Sequence, residues 1–424
     1  MNLKSNKAIT LVALIITIII LLILAGVSLS MILGENGLIN KAQSSVNAYQ
    51  QAALNEQNLL NSIEDYMGNY GLPENTPTTP AGTHVKPPVK WLGTIVDAVA
   101  DGKGNTFPVP KSFYYVGGNL DNGVIISDDP ADAYDGTTDK TTWEYTTSLV
   151  GNQFVWIPCT EEEYHKTNWG SIYASNIYDA ESGAGAEMTQ VVKYGGFYVA
   201  RYEAGLADTI AEHTENQIKN NSNNPRYNVE GIPKSKAGNL PWIFITQVNS
   251  KKNAEKMYGN NDYVTSGLIT GTQWDVMLNK FIGTTNANKV TFAEANMKNS
   301  NNWGNYFGCN LKYTGRYATL FQNNNNWYLS TWSTKQTNAI INANVRTEYT
   351  IGASKSTEAY HTYDVAGNVW EWTEEVGQAA DYRVARGGSS NSPLGDNPAC
   401  YRHPLSSDSF VGGDLGFRVV LYIK

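Results

Sequence analysis

The longest uninterrupted apolar stretch of the chain lies near its start, at residues 9–33, which carry no charge. A helix of this length rises roughly 37 Å at ~1.5 Å per residue, enough to cross a ~30 Å hydrocarbon core. Lys4 and Lys7 precede the stretch, so the positive-inside rule places residues 34–424 outside the cell. The pattern predicts a single-pass membrane helix. A cleaved signal peptide and a buried core helix are the alternatives.

A second helical pattern follows in residues 34–70, where apolar side chains recur every three or four positions. We expect an extracellular stalk helix that packs against its own domain or a neighbouring stalk, with self-association as the alternative. Residues 71–90 then contain five prolines. Because proline fixes φ and lacks a donor N–H, this stretch predicts a semi-rigid linker and a domain boundary.

The pattern changes again in residues 91–424, where short apolar runs alternate with loops rich in Asn and Gly. These runs predict one large domain with short strands and few helices. The clearest predicted strands are 123–127, 154–157 and 197–201, and the clearest predicted helices are 253–257 and 272–281.

Composition narrows the classes of partner and site. The net charge is -8 and the pI is near 5.3, which argues against nucleic acid as a partner because phosphate binding needs a basic face. The chain has three cysteines and no CxxC pair, so neither a disulfide framework nor a structural zinc site is indicated. The 26 Tyr and 11 Trp suit both a packed core and a recognition surface for protein or carbohydrate.

Seven segments of the large domain carry a resemblance in combination. They are Gln153–Pro158, Gly195–Glu203, Pro241–Thr246, Ser266–Asp275, Tyr363–Thr373 (YDVAGNVWEWT), Arg383–Ser389 (RVARGGS) and Gly416–Val420 (GFRVV). Together they resemble the formylglycine-generating enzyme (sulfatase-modifying factor) family over about residues 150 to 424. The resemblance implies an α+β domain of the C-type lectin-like fold.

The same resemblance implies a calcium site in the YDVAGNVWEW turn. Its four ligands would be the carboxylates of Asp364 and Glu371 and the carbonyl oxygens of Gly367 and Val369. All four are oxygen donors, which calcium prefers, and a glycine permits the close backbone approach. The alternative interpretation is structural, with Trp370 and Trp372 as core aromatics on one face of a strand edge.

The chemistry of the resembled family depends on copper. In that family, two closely spaced cysteines after the RGGS element hold the ion that oxidises a substrate cysteine. Here Ser392 occupies the first of these positions and only Cys400 follows. One thiolate cannot form a linear Cu(I) site, and the three-histidine iron site of a related branch has no counterpart. We therefore predict that the chain is not an enzyme. An oxidase acting on exported cysteine-containing proteins is the alternative.

The candidate binding surface is the polar and aromatic stretch between Ser389 and Gly416, because loops held by a rigid scaffold commonly carry binding residues. An ordinary exposed loop is the alternative. The domain is also similar to variable proteins of diversity-generating retroelements, which diversify the segment between RGGS and GFR. That similarity implies a surface adhesin or receptor for an extracellular protein or glycan. The candidate contact residues are Ser390, Asn391, Asn397, Tyr401, His403, Ser406, Asp408 and Phe410.

The N-terminus resembles a type IV prepilin, with a basic leader at residues 1–8 followed by an apolar helix. The resemblance implies cleavage between Ala8 and Ile9, a bacterial cell-surface location and other pilin-like subunits as partners. Two positions depart from the family pattern. Ala8 stands where glycine is usual, and Ala13 stands where the family carries a glutamate that helps to dock subunits. A minor pilin is therefore a further alternative for the whole chain.

Overall fold

The computed structural model describes residues 95–424, with gaps at 102, 143–144, 147, 171–185, 207–229, 288, 314–318, 324–325, 330–336, 343–346, 378–380 and 406. At residue 186 and between 310 and 347, only the backbone of the remaining residues is described. The predicted leader, cleavage site, membrane helix, stalk and linker lie outside the described residues. Within the described ranges, no helix has the length and apolar character needed to cross a bilayer.

The described residues are mostly β-structure with few helices. The strands are β1 (Val96–Ala100), β2 (Thr106–Pro110), β3 (Tyr114–Asn119), β4 (Gly123–Ser127), β5 (Gln153–Pro158), β6 (Gly196–Ala200), β7 (Val264–Leu268), β8 (Asn310–Tyr313), β9 (Thr319–Asn323), β10 (Asn326–Leu329), β11 (Thr337–Asn342), β12 (Thr347–Tyr349), β13 (Glu358–Ala359), β14 (Thr362–Tyr363), β15 (Trp370–Val376), β16 (Arg383–Arg386), β17 (His403–Leu405), β18 (Leu415–Phe417) and β19 (Val419–Ile423). The α-helices are α1 (Ala186–Tyr194), α2 (Gln247–Lys256), α3 (Gly271–Phe281) and α4 (Glu294–Lys298).

A six-stranded antiparallel sheet in the order β3-β4-β5-β6-β19-β7 forms the centre of the domain. Alternate residues of a strand face opposite sides of a sheet. In β5, Phe154 and Trp156 enter one hydrophobic cluster, whereas Val155 and Ile157 enter the other. The interior of the sheet is therefore buried on both faces, which explains why β4, β5, β6 and β19 are nearly continuous apolar runs. The strands predicted at 123–127, 154–157 and 197–201 correspond to β4, β5 and β6.

A second sheet, in the order β17-β16-β15-β18, holds both sequence motifs of the C-terminal region. The YDVAGNVWEW motif leads into β15, which pairs antiparallel with β16 and parallel with β18. Trp370 and Trp372 enter the same core cluster, as their alternation predicts. The expectation of a strand edge is wrong, because the GFR segment adds β18 beside β15 and makes it an interior strand.

Local capping explains where the two longer internal helices begin. Thr270 accepts a hydrogen bond from the backbone N–H of Gln273, and the Gln273 side chain accepts one from the Thr270 N–H, a capping box that starts α3. The prediction at 272–281 is therefore confirmed. Helix α2 begins at Gln247, earlier than the predicted 253, because Thr246 caps it. Its polar sequence lacks the apolar periodicity that would have revealed the first turns.

Candidate functional site

The two ends of the segment 389–414, termed the 389–414 loop, meet beside β15. The Ser389 hydroxyl donates to the Asp414 carboxylate at 2.8 Å, and the Trp370 N–H donates to the Asp414 carbonyl at 2.8 Å. The RGGS and GFR elements thus close the loop at its base. Loops closed in this way on a sheet are a common place for binding residues.

Four fully buried charged side chains anchor the loop to the domain. Asp275 of α3 and Glu375 of β15 contact Arg386 of β16 at 2.6 and 3.4 Å. Arg402, which lies within the loop, contacts Glu375 at 3.2 Å and also donates to Asp275. Each of these buried charges is therefore paired, as burial requires, and Lys166 adds a further ion pair with Glu375 at 3.7 Å. This network ties the middle of the loop to a helix and a strand.

An aromatic stack lies along one side of the loop. The rings of Trp370 and His403 are 4.9 Å apart and inclined by 26°, and Tyr401 lies 6.3 Å from His403. Tyr401 and His403 are partly exposed. Burial lowers the pKa of His403, although Asp414 acts in the opposite direction. The ring is therefore neutral at pH 7 and adds an uncharged, hydrogen-bonding edge to an aromatic surface.

The candidate contact residues differ in exposure. Phe410 is 47% exposed, whereas Asn391, Asn397, Tyr401, His403 and Asp408 are partly exposed. Ser390 is only 2% exposed, and its backbone N–H donates to the Asn368 carbonyl, so this residue supports the loop from inside. Ser406 lies outside the described residues.

Two exposed apolar residues of this surface, one within the loop and one beside it, were not predicted. Leu394, at the loop tip, is 42% exposed, and Phe307 is 39% exposed. Phe307 reaches the loop because its N–H donates to the Ser392 carbonyl at 3.1 Å and its backbone pairs with Pro393. In the sequence, Phe307 is only an apolar residue in polar surroundings, and this does not reveal the segment with which it pairs.

The two carboxylates of the predicted calcium turn are engaged by protein groups. Asp364 accepts hydrogen bonds from the Gly352 N–H and the Thr357 hydroxyl, both at 2.6 Å. Glu371 accepts two from Arg418, at 2.6 and 2.9 Å. Across the described ranges, no group of three or more His, Cys, Asp or Glu is arranged to hold a metal ion. Calcium would have to compete with these donors. Its binding stays a prediction that melting with and without a chelator checks.

A third carboxylate, Glu203, joins this turn and was not predicted. It accepts hydrogen bonds from the Asn368 side chain at 2.6 Å and the Val369 N–H at 3.2 Å. Burial raises the pKa of Glu203, and the neighbouring Asp364 and Glu371 raise it further. Three buried carboxyl groups therefore surround the one guanidinium of Arg418.

The carboxyl group of Glu348 is also buried near the base of the loop. Among the described residues, neither of its oxygens has a hydrogen-bond partner. Burial raises its pKa well above 4.5, and Asp414 and Glu203 act in the same direction. Above about pH 4.5, the Glu348 carboxyl group therefore keeps its proton in the folded state and loses it in the unfolded state. Stability must fall as the pH rises from 4.5 through the folded pKa.

Replacing Glu348 by glutamine is expected to remove this loss of stability at rising pH. The variant should match or exceed the parent in stability at pH 7 and show a flatter pH profile, because an uncharged amide pays no ionisation penalty. Urea unfolding between pH 5 and 8 measures the difference. Glu161→Gln, at an exposed position, is the control and is expected to follow the parent. A Glu348→Gln variant that is less stable at every pH would contradict the assignment.

The positions that correspond to the copper ligands do not fit a site of two thiolates. Ser392 is buried, and its hydroxyl accepts a hydrogen bond from the Ser389 N–H at 3.1 Å. Burial raises the pKa of Cys400 to about 12, so its thiol is protonated at neutral pH. Thiolates, rather than thiols, bind metals. All three cysteines are buried and free.

Comparisons with known proteins place this architecture in a family. Residues 150–423 match the family described as Sulfatase-modifying factor enzyme 1-like domain. Among solved structures, Treponema denticola variable protein 1 is 14% identical, with a TM-score of 0.31, covering 65% of this chain and 97% of that chain. PvdO from Pseudomonas aeruginosa is 12% identical, with a TM-score of 0.29, covering 64% of this chain and 95% of that chain. No curated protein matches significantly. Because the family match spans more than half of its length, the chain belongs to the family of sulfatase-modifying factor enzyme 1-like domains.

Proposed function

We propose that the chain is a cell-surface adhesin or receptor that recognises an extracellular protein or glycan through the 389–414 loop. The observation that carries the proposal is a loop fixed at its base that exposes apolar and aromatic side chains. The loop is anchored by the buried ion-pair network of Asp275, Glu375, Arg386 and Arg402. A loop ordered before binding loses less conformational entropy when a ligand arrives.

The exposed side chains are of the kinds that contribute most to binding. Leu394 and Phe307 are exposed, and Phe307 pairs with Pro393, the residue before Leu394. Phe410 is exposed further along the loop. Tyr401 and His403 add partly exposed aromatic rings. Aromatic residues dominate the binding energy of protein interfaces, and apolar side chains grouped on a surface commonly mark such sites.

Binding is proposed in place of oxidation because the site lacks a thiolate pair. Family membership by itself does not assign an activity, since one fold hosts many functions. Ser392 replaces one thiol, and Cys400 is buried with a raised pKa. The proposal includes display outside the membrane by residues 9–33 and the linker 71–90, with cleavage after Ala8. Protease added to intact cells is then expected to digest the domain.

Alanine at Tyr401, His403 or Phe410 is expected to weaken ligand binding about tenfold or more, since truncating an interface anchor costs roughly 1.4 kcal/mol or more. The measurement applies the full chain and each variant to glycan and cell-surface protein arrays. Tyr145→Ala is the matched control, because Tyr145 is an exposed aromatic residue outside the loop.

Two results would contradict the proposal. One is array binding that none of the three loop variants changes. The other is oxidation of a cysteine-containing sulfatase peptide in the presence of copper that disappears in Cys400→Ser. The second result would favour the oxidase alternative.

A further inference from the structure

A polar cavity of about 390 Å³ lies in another part of the domain. None of its lining residues belongs to the 389–414 loop. Its walls come from the β3–β4 turn, the segment after β4, the 284–287 segment and the hairpin of β13 and β14. The groups that line it include Asn122, Asp139, Thr142, Thr285, Glu358 and His361. A cavity of this size falls within the ~300–1,000 Å³ range of small-ligand sites.

A histidine and a carboxylate form an oriented pair in this cavity. The Nδ1 atom of His361 is 2.9 Å from Glu358 Oε1, and the Ala287 N–H donates to Glu358 Oε2 at 3.1 Å. Burial opposes ionisation of Glu358, but the hydrogen bond and charge of His361 and the charge of Arg201 outweigh it and lower the pKa. The carboxylate is ionised and only accepts hydrogen bonds, so Nδ1 carries a proton. The other ring nitrogen, Nε2, accepts a hydrogen bond in the neutral imidazole and donates one in the imidazolium form.

The Nε2 atom of His361 has no hydrogen-bond partner in the described part of the chain. His361 is only 9% exposed, and this atom is buried. Leaving a buried polar atom without a partner is unfavourable. A ligand hydroxyl that reaches Nε2 can donate to it or accept from it, and so removes that cost.

The backbone that carries the imidazole adopts a strained conformation. Tyr360 and His361 both have positive φ, 52° and 60°, a conformation that residues other than glycine seldom adopt. Arg201 Nε donates to the His361 carbonyl at 3.0 Å, and the Tyr360 hydroxyl donates to the Leu120 carbonyl at 2.5 Å. Strained residues that the surrounding structure enforces are concentrated at functional sites.

We propose that this cavity is a second binding site, for a neutral saccharide. Sugar hydroxyls both donate and accept hydrogen bonds, so they can pair with His361 Nε2 in either protonation state and with side chains such as Thr142 and Asn122. The carboxylates of Asp139 and Glu358 repel an anionic ligand. A metal ion is disfavoured because no group of three or more His, Cys, Asp or Glu among the described residues is arranged to hold one.

The experiment follows the imidazole nitrogens by NMR in the full chain labelled with ¹⁵N-histidine, which has five histidines. The probes are methyl glycosides of glucose, galactose, mannose and N-acetylglucosamine, with lactose, cellobiose and chitobiose. At least one probe is expected to shift His361 Nε2 saturably. His361→Phe keeps a ring without the ring nitrogens and is expected to lower the affinity for that probe about tenfold, measured by calorimetry because the variant lacks the His361 signal.

Two further variants make the result interpretable. His361→Asn removes the imidazole with a residue that tolerates positive φ, and its thermal unfolding is compared with that of the parent to show that it is folded. His165→Phe, at an exposed histidine, is the matched control and is expected to bind as the parent does. The proposal is overturned if no probe shifts Nε2, if both His361 variants bind as tightly as the parent, or if Zn²⁺ shifts Nε2 and no saccharide does.

Discussion

Replacing Arg418 by methionine is expected to destabilise the domain by about 3–5 kcal/mol, the usual cost of removing one partner from a buried ion pair. Both oxygens of Glu371 accept from Arg418, which also donates to the carbonyls of Ala200 and Tyr363 at 3.1 and 2.9 Å. Among the described residues, Arg418 is the cation that lowers the pKa of Glu203, Asp364 and Glu371, and its removal leaves these buried carboxyl groups without that charge. Urea unfolding at pH 7 measures the loss.

Two comparisons separate this effect from ordinary charge removal. Lys103→Met breaks an exposed ion pair with Asp121 and is expected to change the midpoint little. Lowering the pH is expected to reduce the defect of Arg418→Met, because protonation neutralises the acids it leaves unpaired. Equal effects of the two methionine variants would show that the carboxyl groups are not balanced by Arg418.

The second large effect is expected from Gly367→Ala. Gly367 has a φ of +75°, and a Cβ there would overlap the Asn305 carbonyl and lie 2.7 Å from the Asn305 nitrogen. The two segments are held together by the hydrogen bonds Asn305 N–H to Ala366 and Asn368 N–H to Asn305. Left-handed strain of ~1–2 kcal/mol and overpacking of ~1–3 kcal/mol together give an expected loss of about 2–5 kcal/mol.

Gly283→Ala supplies the matched control for that clash. Gly283 has a φ of +89°, but a Cβ there meets nothing within 4 Å. The control thus carries the left-handed strain alone and is expected to lose ~1–2 kcal/mol. Thermal unfolding of both variants measures the difference. If they lose equal stability, the backbone contact between Gly367 and Asn305 does not exist in solution.

Much of the central sheet follows from short-range sequence pattern. The run Phe154–Ile157 predicts a strand, and its continuous apolar character reflects burial on both faces. The capping pair Thr270 and Gln273 sets the start of α3. Helix α2 was recognised only in part because its first turns are polar and its stability comes from the Thr246 cap and from packing.

The position of the candidate binding loop was predictable from the sequence, but which residues are exposed on its surface was not. The RGGS and GFR elements bracket it in the sequence, and the structure joins them through Ser389 and Asp414. The burial of Ser390 and the arrival of Phe307 beside Pro393 were not predictable. Both depend on how the loop folds back over a segment that is distant in the chain.

The sequence by itself determined the features that depend on neighbouring residues: strand periodicity, helix caps, the Pro-rich linker pattern and the motifs that place residues 150–423 in their family. The tertiary structure alone decided which charges meet. Arg386 and Asp275 pair across 111 positions. It also decided which groups lose water, and so which carboxyl groups, such as Glu348, hold their protons. The physical reason is that pairing and desolvation depend on distance in space, which periodicity along the chain does not encode.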